Sequence, residues 1–103
     1  MKKMLEMILT KEELDRITEE VRDNVPALTV DLHGLKVKEA KRLLGNLMAL
    51  NREGCDIRVI HGYLHGMAIK NMIYDTLENP RLTEKQRVKG NYGMTVLKMA
   101  KAA

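Results

Sequence analysis

The chain of 103 residues is long enough for one two-layer core and too short for two. It has no Phe and no Trp, three Tyr and eight Met, so Leu, Ile, Val and Met must fill the interior, which excludes a core built on aromatic rings. The net charge of +4 is unevenly spread: residues 1–25 carry five basic and seven acidic side chains, residues 26–80 seven and six, and residues 81–103 six and one, so the positive charge gathers at the C-terminal end, where it suits a polyanion.

Residues 1–9 are apolar at Met4, Leu5, Met7, Ile8 and Leu9, but Glu6 interrupts them. The run is far below the roughly 20 residues of a membrane span, so no membrane anchor is expected. No N-terminal stretch has the layout of a signal peptide, and the lone Cys55 has no internal disulfide partner. Both point to the reducing cytoplasm.

Residues 10–23 read as a helix. Thr10 as N-cap with Glu13 three positions on makes a capping box, and Leu14, Ile17 and Val21 share one face. Such a helix can cover the sheet or pair with a second copy of the chain to give a homodimer. Asn24, Val25 and Pro26 end it, because proline disfavours helical geometry in the residue before it. Residues 1–25 are therefore expected as an N-terminal helical extension and residues 26–103 as the domain proper.

The domain opens on a strand, with Val30 and Leu32 apolar on one face and Thr29, Asp31 and His33 polar on the other, stopped by Gly34. Val37, Ala40, Leu43, Leu44, Leu47 and Leu50 then mark a crossover helix whose wet side is Lys36, Lys38, Glu39, Lys41 and Arg42. Gly54 terminates it and Asp56–Ile60 is the second strand, ending at His61 and Gly62. A second helix over residues 66–77 turns Ile69, Met72, Ile73 and Leu77 inward, and Asn79 and Pro80 end it. Residues 81–89 alternate, residues 90–93 make a turn, and residues 94–99 form a last strand, so these two strands should pair as a hairpin. The order is β-α-β-α-β-β behind an N-terminal helix: a two-layer α/β sandwich with a mixed four-stranded sheet.

If a helix joins the first two strands they run parallel, and His33 and His61 arrive at the same edge of the sheet, where open α/β sheets bind ligands. On adjacent strands, roughly 5 Å apart, two imidazoles can act on one phosphate, one taking the proton of an RNA 2′-hydroxyl and the other protonating the leaving oxygen. Asp31, two residues before His33, can orient an imidazole or cap the loop. A metal-assisted cut would need Asp31 to hold a divalent cation; no second carboxylate is well placed beside it, so no cofactor is expected.

Residues 30–34 (Val-Asp-Leu-His-Gly), 61–66 (His-Gly-Tyr-Leu-His-Gly) and 91–96 (Asn-Tyr-Gly-Met-Thr-Val) also carry a family pattern. Over about residues 28–99 the chain resembles the Smr (small MutS-related) domain, whose hallmarks are an LDLHG-like motif, an HGxGxG loop leading into a helix, and a closing NxGxTxV strand. The middle motif departs from the family at Leu64, where the second glycine belongs. The resemblance implies the same two-layer fold and a nucleic-acid partner, with Asp31 similar to the acidic residue implicated in cleavage in some members.

The loop with Gly62 and Gly66 enters the second helix, whose N-terminus and Lys70 suit phosphate. Gly34 stops the first strand beside it. His65 adds a third imidazole or caps the helix. Arg81, Lys85, Arg87 and Lys89 alternate along one strand, either to track a phosphate backbone or to protect a sheet edge. Tyr92 offers a stacking ring, Asn91 and Gly93 serve the turn, and Thr95 can donate to phosphate. Three readings stand: an endonuclease cutting RNA or structured DNA with Asp31, His33 and His61; a non-catalytic nucleic-acid or ribosome-associated binding module, which Leu64 favours; and a small homodimeric interaction protein.

Overall fold

A computed structural model describes residues 2–22, 24–62 and 67–102. In chain order the elements are α1 (Lys2–Glu6), α2 (Lys11–Asp15), β1 (Ile17–Arg22), β2 (Val25–Asp31), α3 (Val37–Leu50), β3 (Asp56–Ile60), α4 (Met67–Asp75), β4 (Leu82–Val88) and β5 (Asn91–Met99). Among the described residues the strands form one five-stranded mixed sheet in the order β1-β2-β3-β5-β4. The chain is thus an α/β sandwich with one strand more than the pattern of residues 26–103 predicts.

That strand comes from the segment expected to be helical. Thr10 and Glu13 do form the capping box, each side chain bonded to the other's backbone N–H, but the helix they start ends at Asp15. Residues 17–22 then pair antiparallel with β2, Ile17 opposite Val30 and Arg22 opposite Val25. The reason is tertiary. The outer edge of β2 presents backbone donors and acceptors that need partners, while Ile17, Thr18 and Val21 are β-branched and suit a strand. Asn24, with a φ of 64°, sits in the connection, where hairpins call for positive φ. The long helix expected over residues 10–23 is replaced by this hairpin.

β2 and β3 run parallel through the crossover helix α3, with Val30 opposite Val59 and Asp31 opposite Ile60. β5 returns antiparallel to β3 and pairs with β4 on its far side, as the hairpin pattern predicts. α3 and α4 cover one face. Their Ala40, Leu43, Leu44, Leu47, Met48, Ile69, Met72 and Ile73 bury against Leu28, Val30, Leu32, Ile57, Val59 and Leu97 of the sheet. Leu5 of α1 and Leu9 just after it join the same core. The other face is polar and partly exposed, with ion pairs from Lys98 to Asp56 (2.7 Å) and from Arg58 to Glu20 (3.6 Å). Among the described residues no helix is long and apolar enough to cross a membrane.

Candidate nucleic-acid interface at the strand ends

Backbone hydrogen bonds draw the three motifs to one edge of the sheet. Leu32 N–H donates to the carbonyl of Ile60 (2.8 Å), and the N–H groups of His61 and Gly62 both donate to the carbonyl of Gly93 (2.9 and 3.1 Å). Gly62 has a φ of 83° and Gly34 a φ of 82°, a region natural to glycine. Gly93 serves a different need: a Cβ there would stand 3.3 Å from the carbonyl carbon of Gly62, so its bare backbone permits the close approach.

The two histidines share this edge but not a face. Strand side chains alternate; Asp31 and its neighbour Ile60 point to the open face, whereas Leu32, Val59 and His61 point under the helices. Asp31 Oδ1 accepts from both the backbone N–H of His33 (3.0 Å) and its Nδ1 (2.9 Å), which draws the His33 ring to the open face. A carboxylate only accepts, so Nδ1 carries the proton and Nε2 is left to act. The His33 side chain is 73% exposed and that of Asp31 41%. Burial raises the Asp31 pKa, but the hydrogen bonds from the His33 ring and backbone, with the charges of His33 and Arg16, outweigh it and hold the carboxyl below the usual value.

His61 is 0% exposed. Its Nδ1 meets the carbonyl of Gly62 at 2.8 Å and must donate to it; Nε2, the acceptor of the neutral ring, lies 3.0 Å from the hydroxyl of Thr95. That hydroxyl donates to the ring and accepts from Tyr74 OH of α4, 3.1 Å away. Every ring nitrogen is satisfied. Burial pushes the His61 pKa down, as does the charge of Lys70, against the opposing pull of the Gly62 carbonyl. The expected sharing of one phosphate by two imidazoles is therefore not the geometry found, and Thr95, fully buried, turns its hydroxyl to His61 instead of outward to phosphate.

The basic set also divides. Arg81 precedes β4 and donates to the carbonyls of Met48 and Ala49 at 2.7 and 3.3 Å and to that of Asn51, so it caps the C-terminus of α3 and is committed to the fold. Lys85 reaches the carbonyl of Tyr74 at 3.3 Å. Arg87 lies over the Tyr74 ring, 5.1 Å from its centroid. With Lys70, Lys89, Asn91 and Tyr92, Arg87 and Tyr74 line a cleft of about 300 Å³ beside the β4–β5 turn. Asn91, the first residue of β5, also accepts from the N–H of Gly93 at 3.1 Å, but neither has the positive φ that the turn reading called for; Gly90, with a φ of 81°, takes that place. A larger hollow of about 680 Å³, lined in part by Leu77, Pro80, Thr83 and Glu84, lies at the opposite end of β4. Leu64, His65 and Gly66 lie outside the described residues.

Arg16 is the residue that sequence reasoning missed. Its Nη1 donates to the carbonyls of Asp31 and His33, both at 3.0 Å, and fixes the turn that presents the histidine. Nothing in the local pattern singles it out, since it falls inside the stretch that reads as helix. Among the described residues no three His, Cys, Asp or Glu side chains group as a metal site requires. No protein-family model matches the chain, and no curated protein matches it.

Proposed function

We propose that the chain is an Smr-like nucleic-acid-binding domain that cleaves RNA or structured DNA at a phosphodiester, working in the cytoplasm. The observation that carries this reading is one sheet edge bearing both an exposed Asp31–His33 dyad and a cationic, aromatic cleft at the β4–β5 turn. The dyad faces the open side of the sheet and the cleft lies beside α4, so a strand that engages both passes over this edge.

RNA is the substrate for which one accessible imidazole suffices. His33 Nε2 takes the proton of the 2′-hydroxyl, the 2′-oxygen attacks the adjacent phosphorus, and the bond to the 5′-oxygen breaks as that oxygen takes a proton from solvent. Asp31 holds the ring in register and stabilises its charged form. His61 belongs to the supporting structure in this scheme.

The second reading is a binding module without cleavage. It is favoured by the burial of His61, which leaves His33 as the one imidazole on the open face among the described residues. Labelled single-stranded RNA and branched DNA, incubated with and without EDTA, separate the two. EDTA-resistant RNA cutting that is lost in His33→Ala supports the nuclease. Salt-sensitive binding with no cutting supports the module, and cutting that survives His33→Ala assigns the chemistry to another site.

A further inference from the structure

The cleft between α4 and the β4–β5 turn has a composition that a simple phosphate track does not need. Three cations, Lys70, Arg87 and Lys89, stand in it, and among the described residues that line it there is no Asp or Glu. Beside them are two aromatic rings and the apolar Val88 and Met94. Tyr74 is fixed at one end by its hydroxyl bond to Thr95 and covered by the Arg87 guanidinium, whereas Tyr92 is 69% exposed. The volume of about 300 Å³ is at the lower end for a small-molecule site.

We infer that this cleft seats one unpaired nucleotide of a single strand, its base on the Tyr92 ring and its flanking phosphates on Lys70 and Lys89. The inference rests on the nucleic-acid reading above and adds a substrate class to it. A ring that stacks needs the face of a base, and bases inside a duplex spend both faces on their neighbours, so a paired strand meets only the cations. The half-apolar lining favours a planar base over free phosphate, which the cations alone would satisfy. Arg87, held against Tyr74, keeps its charge in place at the wall of the cleft.

The test is fluorescence anisotropy with a labelled 12-nucleotide RNA, the same sequence as a duplex, and a mononucleotide, across a salt series. The single strand should bind more tightly than the duplex. Tyr92→Ala should weaken the single strand about tenfold and leave its salt slope unchanged, and Tyr92→Phe should restore it. Lys70→Gln with Lys89→Gln should instead flatten the salt slope by about 1.4. Equal binding of strand and duplex, or indifference to Tyr92→Ala, overturns the nucleotide seat while leaving nucleic-acid binding intact. A mononucleotide that binds as tightly as the 12-mer overturns the single-strand assignment in favour of a small-ligand pocket. Failure of every nucleic acid to bind the folded protein removes the broader reading as well.

Discussion

Nε2 of His61 and the hydroxyl of Thr95 are hydrogen-bonded at 3.0 Å with neither residue reaching solvent. Protonating His61 would turn that acceptor into a donor and place a charge beneath α4. Its folded pKa lies below the ordinary value of about 6.5, so the unfolded chain takes up the proton first. The stabilisation is therefore complete above about pH 6.5 and is lost as pH falls toward the depressed folded value. Urea denaturation at pH 7.5 and pH 5.5 should show the wild type losing stability across this window. His61→Gln, less stable at pH 7.5, should vary less between the two.

The exposed histidine carries the opposite expectation. His33→Ala removes no buried contact and should leave the thermal midpoint within a few degrees of wild type while cutting RNA cleavage by about 10²–10⁴-fold, the worth of a general base. Asp31→Asn should lower cleavage less, because the amide can still hold the ring but no longer stabilises its charged form. Single-turnover cleavage with circular dichroism on each variant checks both.

Arg81 and Arg87 read alike in the sequence and should behave differently in solution. Arg81→Ala leaves carbonyls at the end of α3 without their charged donor, which should cost about 2 kcal/mol in denaturant unfolding. The folded variant should keep the wild-type salt dependence of RNA binding. Arg87→Ala should keep most of the stability and lose affinity.

Gly93→Ala tests the convergence of the motifs. The added methyl would press on the Gly62 backbone at 3.3 Å. Backbone can yield only by moving the carbonyl that both His61 and Gly62 use, so the substitution should cost about 1–3 kcal/mol in the denaturation midpoint.

The domain's helices, its parallel pair and its closing hairpin are legible because their apolar periods are long and unbroken. Helix α3 is a clear case, since all six residues of its predicted stripe are buried or packed on the core. Residues 10–23 mislead because Leu14, Ile17 and Val21 fit a helical face, and only the unpaired edge of β2 decides for a strand. The opposition of the histidines could have been read from parity: His33 is in step with Asp31, whereas His61 is in step with Ile57 and Val59, both apolar. Arg16 could not have been found this way, because its role exists only once β1 lies beside β2.

That role sets how firmly the His33 turn is held. Arg16 accepts from the Asp31 amide at 2.9 Å as well as donating to the two carbonyls, and it stands at the start of a strand paired on one side only. Edge strands open at lower free energy than the middle of a sheet. Each opening of β1 releases the turn and lets the Asp31 amide exchange with deuterium, so the lifetime of the ordered dyad is governed by fraying at the sheet's rim, with the buried core left closed.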